Sequence, residues 1–77
     1  MRIDPCDQEA FTGYMTALRT LEEAFNMAGA LVSFHCRNSP TFGKNILIKK
    51  GNAANVISIE GDSPVQAVKD VAAAVRL

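Results

Sequence analysis

A glycine-asparagine pair divides two runs of alternating apolar and polar residues, and this pattern constrains the chain more than any other feature. Asn45–Lys50 and Ala53–Glu60 read as strands, and Gly51-Asn52 between them is a two-residue hairpin signal because both residues tolerate positive φ. A turn of that length leaves one register. Lys50 faces Ala53, Ile46 faces Ile57 and Leu47 faces Val56. Because strand side chains alternate, Ile46, Ile48, Ile57 and Ile59 then share one face, which is assigned to the core. Leu47 and Val56 pair on the opposite face, among Asn45, Lys49, Ser58 and Glu60.

The rest of the chain arranges itself around this hairpin. Leu31 to Arg37 also alternates, with Val32, Phe34 and Cys36 on one side and Leu31, Ser33, His35 and Arg37 on the other. It predicts a third strand, joined to the hairpin through the loop Asn38–Gly43. Upstream, Asp4-Pro5 is a helix start, with Asp4 as N-cap and proline at the first helical position. Phe11, Met15, Leu18, Leu21, Phe25 and Ala28 follow at spacings of three and four, and Gly29 is a stop signal. The spacing predicts a helix over about 5–28. At the far end, Ser63-Pro64-Val65-Gln66 is a capping box, and Val65, Val68, Ala72 and Val75 line a face, with Val71 beside them, of a helix over 64–76. The expected fold is α+β: an α-β-β-β-α two-layer sandwich, a three-stranded antiparallel meander with both helices on one face. With 77 residues, the chain holds one domain, 1–77, and one core.

Order and spacing in the second half resemble the double-stranded RNA-binding domain. Phe42-Gly43-Lys44-Asn45-Ile46-Leu47-Ile48 is similar to that family's middle strand. Gly61-Asp62-Ser63 leading to Ala67 and Ala72-Ala73 is similar to its turn into an alanine-rich last helix. The likeness covers roughly residues 25–77, in element order and last helix only. It implies the sandwich topology and, in the family, phosphate contacts from lysines at the start of the last helix. Here those positions are Pro64, Val65, Gln66 and Val68, none of them basic, with Asp62 just upstream.

Charge is balanced, with eight basic and eight acidic side chains, so no overall field draws the chain to nucleic acid or a membrane surface. The distribution is uneven. Residues 36–50 hold Arg37, Lys44, Lys49 and Lys50 and no acid. No apolar run approaches the ~20 residues needed to span a bilayer, and none follows Arg2 as a secretory signal requires. Two cysteines without an export signal point to free thiols in a reducing, cytoplasmic compartment.

Catalytic chemistry has little footing. Cys6, His35 and Cys36 are the only soft metal ligands, and neighbours on a strand point to opposite faces, so His35 and Cys36 do not share an ion. The simpler role for Cys36 is a small core residue. Cys6 near a helix start is a candidate reactive thiol, opposed by the charges of Asp4 and Asp7. No cofactor motif is present, and the expectation is a non-enzymatic protein. Two binding surfaces remain. The open sheet face offers Leu47 and Val56 as apolar anchors, with Lys49, His35 and Leu31 around them, to a protein partner or a second copy of the chain. The alternative is nucleic-acid binding through Arg37, Phe42, Lys44, Lys49 and Lys50, where bases flank an aromatic.

Overall fold

The computed structural model describes residues 1–76. Its elements are β1 (Arg2–Ile3), a 3₁₀ turn (Pro5–Asp7), α1 (Met15–Met27), β2 (Val32–Ser39), β3 (Gly43–Lys50), β4 (Ala53–Ser58) and α2 (Pro64–Arg76). The hairpin register is the one a two-residue turn dictates: Lys50 pairs with Ala53, Leu47 with Val56 and Ile46 with Ile57. Gly51 alone takes positive φ there, at +59°. Both helices cover the same face of the sheet, α1 over β2 and α2 over β3 and β4. Between the layers lie Phe11, Leu18, Val32, Phe34, Cys36, Ile46, Ile48, Ile59, Ala67, Val71 and Val75.

The sheet has four strands, in the order β1-β2-β3-β4. The expected meander is β2-β3-β4, and β1 joins it parallel to β2, with Arg2 beside His35 and Ile3 beside Cys36. Two residues are too few to show alternation, so periodicity carries no trace of this strand. On the Met1 side of β1, α1 takes over the edge of β2. Asn26 accepts from Val32 N–H at 2.7 Å and donates to Val32 O at 3.0 Å. One turn earlier, buried Glu22 accepts from Phe34 N–H at 2.7 Å and from the Met1 ammonium. Two side chains four apart on a helix thus occupy the bonding positions of a missing strand.

The first helix differs from its expected span. After the 3₁₀ turn the chain winds through loose turns to Met15. Phe11, Thr12 and Tyr14 N–H bond three residues back, and the Thr12 hydroxyl bonds the carbonyls of Gln8 and Glu9. Three residues per turn put Phe11 and Tyr14 on one side. Both are buried, ring edge toward ring face, with centroids 5.9 Å apart. Asp4 makes no side-chain cap; its carbonyl accepts from Asp7 N–H at 2.8 Å.

The helix ends match the local signals better. Ala30 N–H bonds Phe25 O and Gly29 N–H bonds Asn26 O, with Gly29 at φ +86°, a Schellman motif. Ser63 Oγ accepts from Gln66 N–H at 3.2 Å, while the Gln66 amide reaches forward to Asp70 at 2.9 Å instead of closing the box. The buried stripe of α2 runs through Ala67, Val71 and Val75, and Val65 is exposed. Apolar residues surround most of this helix, so its own pattern does not choose the stripe; the sheet selects the side where alanine permits close approach.

Candidate functional site

The ladders place one residue from each strand in a single row across the uncovered face: Arg2, His35, Leu47, Val56. On one side run Ser33, Lys49 and Ala54, and on the other Arg37, Asn45 and Ser58. Val56 is 61 % exposed and Leu47 partly so. The face therefore has an apolar centre, with Arg2, Arg37 and Lys49 around it and no carboxylate in the three rows. Asp4 stands at the rim, Oδ2 3.8 Å from Arg37 Nε, an exposed pair of small energetic weight. A shallow hollow of about 260 Å³ opens between Arg2, Asp4, His35, Arg37 and Leu47.

His35 sits in the middle of this row, Nε2 3.2 Å from Ser33 Oγ. Burial pushes its pKa below the ordinary 6.5, and the charges of Lys49 and Arg2 add to the effect. The imidazole is therefore neutral at pH 7. Its neighbour Cys36 points into the core, where burial raises the thiol to about 12. Opposite facing separates the two, as the strand geometry requires. Among the described residues, no three His, Cys, Asp or Glu side chains are grouped to hold a metal. Cys6 is exposed in the 3₁₀ turn, its sulfur 3.9 Å from Asp7 Oδ1.

Leu31 does not belong to the face. It precedes β2 at φ +54°, and its side chain is 78 % exposed outside the ladder. The alternation that includes it in the strand is interrupted because the chain must reverse after Gly29, and Leu31 takes part of that reversal. Arg2 is the residue of this face that sequence reasoning misses, since only β1 brings it there.

The basic set of the middle segment is divided. Arg37 and Lys49 lie on the open face, but Lys44 and Lys50 alternate to the helical side. Lys44 Nζ donates to Tyr14 Oη at 3.2 Å and Gly61 O at 3.4 Å, and lies 3.6 Å from Asp62. Its pKa is raised, chiefly by the bond to Tyr14. Lys50 Nζ bonds Val75 O at 3.0 Å, closing the C-terminal end of α2 where the helix dipole favours a cation. Phe42 projects from the β2–β3 loop, 77 % exposed, on a turn held by Ser39 Oγ accepting from Thr41 and Phe42 N–H. The first turn of α2 offers no basic side chain.

No helix among the described residues is long and apolar enough to cross a membrane. Comparison of the chain with protein-family models, with curated proteins and with solved structures gives no match.

Proposed function

We propose that this chain is a small non-enzymatic binding module, of adaptor or inhibitor type, that docks a protein partner on its open sheet face. One observation carries the reading. Leu47 and Val56 lie side by side in a cross-strand row, ringed by Arg2, Arg37, Lys49 and neutral His35, with Asp4 beside Arg37 as the acid at the rim. An apolar centre inside a polar rim is how interfaces are built, and the rim here is cationic. The partner that suits it presents an apolar patch edged by carboxylates, which also speeds encounter. Exposed Cys6 and buried Cys36, both free, support a reducing compartment, the cytoplasm, as its setting.

The test is a pull-down from native host lysate with and without nuclease, using the wild type, Leu47→Asp and Val56→Asp. Capture that survives nuclease and is lost in both variants, with unchanged circular dichroism, supports the face. Capture unaffected by either variant removes it. A second reading, nucleic-acid binding, draws on Arg2, Arg37 and Lys49 sharing one face beside exposed Phe42. It loses Lys44 and Lys50, which are engaged within the fold, and the face itself has no Phe, Tyr or Trp on which a base stacks. It requires affinity for duplex RNA or DNA that falls steeply with salt and disappears in Arg37→Glu with Lys49→Glu.

A further inference from the structure

We infer that β4 is a self-association edge: two copies of the chain pair through β4, antiparallel, about a two-fold axis at Val56. The two ends of the sheet are treated differently. At the β2 end, β1 covers part of the edge, and Glu22 and Asn26 bond the backbone beyond it. At the other end nothing pairs with β4 among the described residues. The strand Ala53–Ser58 reads AANVIS, all exposed except Ile57. It has no charge and no proline, the usual devices that keep an edge from pairing.

The hydrogen-bonding direction along β4 follows from the hairpin. Lys50 and Ala53 flank the two-residue turn and form a bonded pair, so Ala53, Asn55 and Ile57 bond to β3 in alternation. Ile59 N–H, bonded to Lys44 O at 2.9 Å, continues that series. Ala54, Val56 and Ser58 therefore direct their N–H and C=O groups away from the sheet. An axis at Val56 sets it against the partner's Val56, and Ala54 against the partner's Ser58. Each pair exchanges two bonds, about six in all.

The edge is self-compatible in charge, which suits a second copy of the chain. A two-fold pairing brings each edge residue against itself or a near neighbour, so any charge on the edge meets its like. β4 carries none. A different protein strand would find no charge here by which to be selected. The cationic rim does not oppose the contact: the axis joins the row Ser33-Lys49-Ala54 to the Ser58-Asn45-Arg37 row of the second copy, and at strand spacing Lys49 lies about 19 Å from that Arg37 position. That is well beyond the Debye length of about 10 Å. On the helical side, a hollow of about 200 Å³ opens beside Ala53, Asn55, Ala74 and Val75. A single-strand contact falls below the roughly 1,200 Å² of standard interfaces, so the dimer is weak and concentration-dependent.

Sedimentation velocity from about 10 µM to about 1 mM, paired with amide hydrogen exchange at both ends of the range, tests this. The expected result is a mass rising toward the dimer, with the Ala54, Val56 and Ser58 amides gaining protection while Asn55 and Ile57, already bonded to β3, change little. Val56→Lys and Val56→Glu each weaken the dimer, about tenfold, and an equal mixture of the two restores it. Their side chains point to solvent, so circular dichroism stays that of the wild type. A monomer at the highest concentration overturns the inference. So does a dimer whose amides at 54, 56 and 58 exchange as fast as in dilute solution. That second outcome puts the contact elsewhere than β4 and leaves the proposed docking face to its own test.

Discussion

Replacing Glu22 with alanine is the sharpest test of how this small fold is held together. Glu22 is 7 % exposed, and its carboxylate serves two groups: Phe34 N–H at 2.7 Å and the Met1 ammonium. Removing one partner of a buried ion pair costs about 3–5 kcal/mol, because the other charge is left without compensation. Leaving Phe34 N–H without an acceptor accounts for about 1–3 kcal/mol of such a loss. β1 spans only two residues, so the ammonium can peel away into water, which brings the expected cost to about 3 kcal/mol. For a domain of this size each kcal/mol moves Tm by about 4–8 °C, so Glu22→Ala should melt about 12–24 °C lower. Glu22→Gln keeps an acceptor for Phe34 and should lose about half as much. Urea titration followed by circular dichroism measures both. A loss below about 1 kcal/mol for the alanine variant would refute the reasoning, since it would mean that neither group depends on Glu22.

Three further outcomes follow from single side chains. Tyr14→Phe removes the hydroxyl that donates to Gly61 O at 2.9 Å and receives Lys44, and should cost about 1 kcal/mol by urea denaturation. Leu31→Gly should raise Tm slightly: relief of a left-handed leucine, about 1–2 kcal/mol, exceeds the glycine's extra freedom in the unfolded chain, about 0.5–1 kcal/mol. His35 has a folded pKa below its unfolded value, so the unfolded chain binds more protons as the medium acidifies. Its contribution is intact above pH 6.5 and is lost as pH falls from there through the lowered folded value. Urea midpoints at pH 7.5, 6 and 5 should fall less steeply in His35→Gln than in the wild type.

The open face shows how physical range limits what a sequence reveals. Its centre is legible, because Leu47 and Val56 face one another through a turn only two residues long, and alternation does the rest. Its rim is not. Lys44 and Lys50 look as available as Lys49 in the sequence, but alternation sends both toward the helices, where Tyr14 and Val75 receive them. A lysine's partner thirty residues away leaves no local mark.

Local sequence determined most features whose energetics close within a few residues, the turns before Met15 excepted. The Gly51 turn and the isoleucine register belong to this set, as do the Schellman end at Gly29 and the Ser63 cap of α2. Tertiary structure alone decided the features set by competition between distant groups. β1 exists because β2 offers it an edge, and Glu22 is buried because that edge needs an acceptor at Phe34, on the Met1 side of Arg2. Ala67, Val71 and Val75 form the inner stripe of α2 because the sheet chose among several apolar sides. Short-range geometry is written in spacing, whereas the satisfaction of buried polar groups depends on which segments come to lie together.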